Sequence, residues 1–396
     1  MPYYLHHLNL ACALGSNVED VAAALFATTR REQSPLTPTE RYSPGRSFRL
    51  GHVTAELPAV GSNLSRYSCR NNRLLLHCLQ PIENDVHDLV RKLGAERVGI
   101  VLGTSTSGID ESETATDARL ATGALPADFS FLKQQLFGGT DFLAEVLGTR
   151  GPTCTVSTAC SSSANALASA ARLLDLEVVD AVIVGGADTL CGFTVQGFAA
   201  LEAMSRDLAN PMSRNRDGIN IGEAGVLAVL SREPGPVALL GVGTSSDAHH
   251  ISAPEPEGRG AERAMRAALQ QGGIAPEEVG YVNLHGTATP QNDRAESHAV
   301  ARVVGHKVPC SSSKPMTGHT LGAAGILEVA LCHVLMNPDT NPDGRGIANL
   351  WDGSADPDLA PIRLADGSAV QRPAIVLSNS FAFGGNNASV LLASAT

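Results

Sequence analysis

Residues 158–167 read TACSSSANAL, with a cysteine between two different patterns. Upstream, GPTCTVSTAC (151–160) reads as a strand running into a turn. Downstream, SSSANALASAARLLDL (161–176) has helical spacing and small residues through its first turns. Cys160 therefore falls at or just before a helix N-terminus. Unpaired backbone N–H groups and the helix dipole there favour the thiolate, the reactive form of the side chain. A sharp strand-to-helix turn also exposes a reactive atom, and small residues let the helix pack close to the sheet. The same pattern suits a small buried thiol in a tight turn. The stretch alone leaves both readings open.

The strand-then-helix order recurs on both sides of it. Apolar runs at 97–108, 180–188, 225–235, 237–247, 279–287 and 373–385 read as strands buried on both faces. Helical patterns lie among them at 84–94, 161–176, 260–272, 292–304 and 322–336. Strands alternating with helices predict an α/β fold with mostly parallel sheets. A Pro/Gly break, SREPGPV (231–237), separates two stretches that open alike: LHHLNLACALG (5–15) and PVALLGVGTSS (236–246). That predicts an internal duplication, with an N-terminal half over 1–235 and a C-terminal half over 236–396. The Asp-, Pro- and Gly-rich segment 337–368 reads as a surface loop region.

Composition narrows the function. A net charge of −11 and only 4% aromatic residues argue against nucleic acid, whose binding needs phosphate neutralisation and stacking. No apolar run reaches the ~18 residues of a membrane helix, and the N-terminus lacks the pattern of a signal peptide. The expected location is cytoplasmic. Eight cysteines, at 12, 69, 78, 154, 160, 191, 310 and 332, form no CxxC pair. The short ligand spacing of a zinc site is missing, so no metal is expected.

Three further segments carry chemistry. NLHGTATPQNDRAES (283–297) places His285 at the end of an apolar strand, where α/β proteins commonly bind ligands. SSSKPMTGHTLGAAG (311–325) places Lys314 and His319 in a Gly-rich loop before a helix. Two neutral imidazole N–H groups converging on one oxygen would stabilise an enolate or oxyanion. SNSFAFGGNNAS (378–389) reads either as a plain hairpin or as a loop offering the Phe383 backbone N–H to an oxyanion. Gly384 and Gly385 would permit the unusual backbone geometry and close ligand approach.

Together these phrases resemble the decarboxylating β-ketoacyl synthases, the elongating condensing enzymes of fatty-acid and polyketide assembly. The matching phrases are STACSSSANAL, HGTATPQND, KPMTGHTLGAAG and NSFAFGGNN, with NPMSRNRDGINIGEAG (210–225) as a fifth. They follow the family's order over nearly the whole chain. The resemblance implies a thiolase-like fold, two similar α/β halves in a five-layered α-β-α-β-α sandwich, usually dimeric. Cys160 would take an acyl group from an acyl carrier protein. A malonyl unit on the same kind of carrier would lose CO2, and its carbanion would attack the acyl-cysteine, adding two carbons. No cofactor would be bound covalently, because the substrates ride on the carrier's phosphopantetheine.

The resemblance also implies roles. His285 and His319 would bind the malonyl thioester carbonyl and stabilise the enolate, with Lys314 orienting the site. Glu296 matches the acid that neutralises or positions that lysine. The N–H groups of Cys160 and Phe383 would form the oxyanion hole. Thr287 and Thr289 would contact the phosphopantetheine arm, Phe383 would gate the pocket, and Phe381, Gly384 and Gly385 would line it. Cys-His-His separates this branch from initiating synthases and thiolases. Its intact cysteine also argues against an idle chain-length-factor subunit of a heterodimer, and its lysine and histidines against a non-decarboxylating acyltransferase.

Some residues depart from the family pattern. Pro211-Met212-Ser213 stands for the usual Pro-Phe-Asp, Ile219 for a Phe, and Asn386-Asn387 ends the glycine loop. These changes and SRYSCRNNRLLLHCL (65–79) resemble synthases of pigment-type polyene pathways such as aryl polyenes. The resemblance implies either a homodimer or, in those pathways, a heterodimer with a chain-length-factor-like homologue. Carrier proteins are acidic, so docking on this acidic chain needs a local basic patch. Arg66, Arg70, Arg73, Lys133 and Arg206 are the candidates.

Overall fold

The computed structural model describes residues 2–368 and 371–395. Eleven strands form one sheet: β1 (Tyr3–Ala11), β2 (Val98–Gly103), β3 (Thr153–Val156), β4 (Ala181–Asp188), β5 (Ala224–Ser231), β6 (Val237–Ser246), β7 (Tyr281–Asn283), β8 (Pro309–Ser311), β9 (Arg363–Leu364), β10 (Ile375–Phe381) and β11 (Asn386–Ser394). Their order is β9-β8-β7-β10-β11-β6-β1-β5-β4-β2-β3. From its outer side inward, the first half runs third, second, fourth, fifth, first in chain order. The second half repeats that order, with β9 added at its rim. The two strands that open the halves, β1 and β6, pair antiparallel and join them. This is the duplicated thiolase-like arrangement.

The halves share a central helical layer. Helix α3 (Ser162–Asp175) belongs to the first half and α6 (Ala324–Met336) to the second. All thirteen residues of α6 are buried, as expected of a helix covered on every side. Outside the sheet, α1 (Arg70–Leu79) and α2 (Gly138–Leu147) cover the first half, while α4 (Arg259–Gly272) and α5 (Pro290–Val304) cover the second. Strands β2 and β4 are buried at every residue, which explains their unbroken apolar runs.

Two expectations need correction. The sheet is mixed rather than mostly parallel: of its ten neighbour pairs, five are parallel and five antiparallel. The link Ala382–Gly385 between β10 and β11 is too short for a crossover, so that pair must be antiparallel. The segment 337–368 is not simply a surface loop. Asn341, Ile347, Ala348, Asn349 and Leu350 are buried, and β9 extends the sheet. The Asp, Pro and Gly residues mark its exposed bends, while the apolar run between them enters the core.

The four short parallel strands aim the chemistry. The chain leaves β2 at Thr104, β3 just before Cys160, β7 at His285 and β8 just before Lys314. Loops at the carboxyl ends of parallel strands therefore meet at the seam between halves.

Candidate active site

The turn after β3 is tight. Ala159 takes a left-handed φ of +51°, uncommon for a residue with a Cβ. Ser162 Oγ accepts from the Thr158 N–H (2.9 Å) and donates to the Ala159 carbonyl (2.5 Å). Ser163 Oγ accepts from Ile326 N–H at 2.9 Å, tying α3 to α6. A Cβ on Gly103 would sit 2.3 Å from Ser163 N, so only glycine allows the helix end so near the strand. The small residues after Cys160 therefore both admit a close helix and clamp the turn.

His319 enters from the other half. Gly318, at φ +72°, turns the chain, and the His319 N–H donates to Asn220 O at 2.6 Å. Its Nε2 lies 3.0 Å from Cys160 Sγ. His285 stands edge-on to it, with ring centroids 5.3 Å apart. Lys314 Nζ lies 3.5 Å from His285 Nδ1. An ammonium only donates, so Nδ1 is the acceptor and the His285 proton sits on Nε2. Among the described residues His319 Nδ1 has no hydrogen-bond partner, so the contact of Nε2 with the Cys160 sulfur is what bears on its tautomer.

Burial sets the protonation states. It holds the His285 and His319 imidazoles well below the usual histidine range, helped by the Lys314 charge. It also pushes the Cys160 thiol up to about 11. Lys314 and the backbone N–H groups of Phe383 and Cys160 pull the other way and do not overcome it. The pull of the helix end toward thiolate is thus outweighed by burial, which favours the neutral thiol beside a neutral imidazole. Alkylation of Cys160 by iodoacetamide should then rise about tenfold per pH unit from about pH 7 to pH 10. Peptide mass mapping would follow it separately from the exposed Cys154. A plateau by about pH 8 would show a thiolate instead.

Lys314 and Glu296 need a correction. The ion-pair partner of Lys314 is Glu328 on α6, at 2.5 Å, with both side chains at most 3% exposed. Glu296 instead accepts the backbone N–H groups of His285 and Gly286, each at 2.7 Å. It holds the histidine's main chain, and burial pushes its carboxyl up to about 7. Glu328 was missed by the sequence reading, although an acid alone in an otherwise uncharged, mostly apolar helix needs a partner. Asp188 was missed too. Fully buried at the end of β4, it accepts from Thr104 Oγ1, Ser105 N, Thr106 N and Oγ1, and Ala323 N. It thereby fastens the loop after β2 to the turn after His319.

A cavity of about 390 Å³ joins these groups to the surface. Cys160, His285, His319 and Phe381 lie at its buried end. Thr287 and Thr289 line it, their hydroxyls 3.0 Å apart, and Ile219 contributes where the family pattern has Phe. Leu201, Glu202, Pro290 and Gln291 lie at its exposed end. Phe383 also lines it, with its ring 5.7 Å from that of Phe198. The hairpin reading of 378–389 holds, since β10 and β11 pair, and the Phe383 backbone N–H between them is among the groups that pull the Cys160 thiol down against its burial. Gly384 and Gly385, at φ +80° and +73°, make that turn possible.

The donor atoms of Cys160, His285 and His319 lie within 4.8 Å of one another, close enough to ligate a metal ion. The Lys314 ammonium against His285 opposes a second cation there.

Four of the five proposed docking cations, Arg66, Arg70, Arg73 and Lys133, engage partners within the chain through their side chains. Arg70 is bound bidentately to the buried Glu223 carboxylate, at 2.9 and 2.5 Å. Arg73 donates to the Leu57 and Pro58 carbonyls, and the buried Lys133 to the Asp128 carbonyl. Arg66 pairs with Glu145 at 3.1 Å. Arg206 is exposed, and its backbone N–H meets Asp217 at the cavity's rim. Among the described residues no helix is long and apolar enough to cross a membrane.

Comparison with known proteins follows the same outline. Residues 73–234 match the β-ketoacyl synthase N-terminal domain, and 237–347 the C-terminal domain. A 3-oxoacyl-[acyl-carrier-protein] synthase 2 from Coxiella burnetii is 32% identical over 324 residues, covering 76% of this chain and 77% of that protein. A ketosynthase from Xenorhabdus doucetiae, solved in complex with its chain length factor, superposes with a TM-score of 0.93. It is 44% identical and covers 100% of this chain and 98% of its own. A β-ketoacyl synthase from Burkholderia phymatum gives a TM-score of 0.86 at 25% identity, covering 100% of both chains.

Proposed function

The chain belongs to the β-ketoacyl synthase family, and from that premise we propose the residues that perform its condensation. The reaction is a decarboxylating Claisen condensation between an acyl group on Cys160 and malonyl-acyl carrier protein. The observation that carries the assignment is the 3.0 Å contact between His319 Nε2 and Cys160 Sγ, with His285 edge-on beside it.

In the first half-reaction His319 Nε2 takes the thiol proton as sulfur attacks the acyl thioester. The N–H groups of Cys160 and Phe383 hold the oxyanion. The carrier thiolate leaves with the proton from His319. In the second, the malonyl thioester carbonyl accepts from Nε2–H of both histidines. The C–C bond to CO2 breaks, its electrons form an enolate, and the enolate carbon attacks acyl-Cys160. The Cys160 sulfur leaves as the thiolate and takes one proton from solvent, which restores the resting thiol. Lys314 fixes His285 as a donor throughout. The partnerless Nδ1 of His319 leaves that ring free to be a base in one half-reaction and a donor in the other.

Thr287 and Thr289 contact the phosphopantetheine arm in this reading, and Phe381, Phe383, Gly384 and Gly385 shape the acyl entrance. We place the boundary between halves at 235/236 and the enzyme in the cytoplasm. We assign the chain to the pigment-type polyene subgroup, with a chain-length-factor-like homologue as its dimer partner. The Xenorhabdus relative, solved with such a factor, supports that pairing.

The test supplies malonyl-carrier and a panel of acyl-carriers, then follows CO2 release and the mass of the Cys160 peptide. An acyl adduct with matching CO2 release is expected. Acylation without CO2 would identify an acyltransferase instead, and no acylation by any carrier would overturn the assignment.

A further inference from the structure

One polar side chain of the cavity has no part in the reaction described above. Asn292, in the first turn of α5, is 8% exposed and lines the cavity together with Thr287 and Thr289. Its Nδ2 donates to Asp293 Oδ1 at 3.2 Å and to Glu296 Oε2 at 3.3 Å. Two carboxyl groups on one side of an amide fix its orientation, because its carbonyl would meet only acceptors there. The carbonyl Oδ1 accepts no hydrogen bond among the described residues. It is also not sealed from solvent, so it opens onto the cavity that Asn292 lines. A nearly buried carbonyl in that state is matched by a ligand that brings a donor.

The neighbouring threonines supply the complement. Thr289 Oγ1 caps α5 by accepting the Asn292 N–H at 3.4 Å, and the Thr287 and Thr289 hydroxyls lie 3.0 Å apart. One of their two hydrogens is spent between them, which leaves the other to donate. The start of α5 thus offers a carbonyl acceptor and a hydroxyl donor, the two groups that amide N–H and C=O groups satisfy. Asn292 also lies deep. The Glu296 carboxyl that it touches holds the His285 and Gly286 N–H groups. Glu202, Asp217 and Gln291, by contrast, are exposed.

We infer that Asn292 reads the substrate arm: its Oδ1 accepts the N–H of the amide nearest the reacting thioester, two carbons from the sulfur. This rests on the reading of the chain as an enzyme that takes acyl thioesters from phosphopantetheine. The contact lets the site tell that arm from a plain alkyl thioester, since a buried acceptor left facing no donor penalises the wrong substrate.

The test uses two small acyl thioesters that differ at one position. One is the thioester of N-acetylcysteamine, and the other that of 2-acetoxyethanethiol, in which an ester oxygen replaces the N–H. Acylation of Cys160 is followed by peptide mass, and each rate is divided by the rate with a free thiol in solution. Wild type should prefer the amide by about tenfold in kcat/KM. Asn292→Ala should lose that preference, with the amide slowed to about the level of the ester and the ester changed less than about twofold. Glu296 keeps its His285 and Gly286 donors in that variant. Equal treatment of amide and ester by wild type would overturn the inference, and this comparison needs no variant to fold. So would an equal loss with both thioesters in Asn292→Ala, since Asn292 would then act through Glu296 and His285. Failure of every acyl-carrier and of both thioesters to acylate Cys160 would overturn the acyl-cysteine reading itself, and this inference with it.

Discussion

Cys160→Ser should abolish chain extension, lowering kcat by about 10³-fold or more. The cost has two sources. A hydroxyl is a far weaker acid than the thiol, so His319 cannot take its proton as readily. The pocket also already opposes charge: burial holds even the thiol at about 11. Serine leaves the clamped turn at Ala159 and Ser162 intact, so the loss belongs to the nucleophile and not to folding. Mass analysis of the residue-160 peptide after incubation with acyl-carrier should show no adduct while wild type shows one. Extension at the wild-type rate would mean that another residue carries the acyl group.

Lys314→Met should damage both stability and activity. The Glu328 carboxylate would be left buried without its partner, a situation that costs roughly 3–5 kcal/mol. His285 would lose the donor that holds its proton on Nε2. The double variant Lys314→Met/Glu328→Leu separates the two effects. Replacing a buried pair by apolar residues is often neutral or stabilising, so its denaturant midpoint should return to about the wild-type value. CO2 release should stay lower by about 10–100-fold, the usual cost of removing a group that orients a reactive histidine. If the double variant regained full decarboxylation, Lys314 would be a purely structural residue.

Much of this protein is legible along the chain. The predicted helices at 84–94, 161–176, 260–272, 292–304 and 322–336 correspond to Glu83–Leu93, Ser162–Asp175, Arg259–Gly272, Pro290–Val304 and Ala324–Met336. The faint likeness between 5–15 and 236–246 marks β1 and β6, which hold the same place in the two halves. These features are local. A strand-turn-helix unit is set by neighbouring residues through backbone sterics, apolar spacing and turn chemistry.

The errors share a different origin. The partner of Lys314 was sought in Glu296 and lies in Glu328, because charge pairing depends on which side chains share a buried volume. Arg70 looked like a docking residue, yet its partner Glu223 is 153 residues away. The parallel character of the sheet was overstated because apolar runs record burial and not strand direction. The chain alone determined the cysteine at a helix start, the two histidines after strand ends and the glycine turn at 384–385. Only the tertiary structure decided the balance at Cys160 in favour of the neutral thiol. That state follows from burial and from a contact spanning 159 residues, and neither is written in any single stretch of TACSSSANAL.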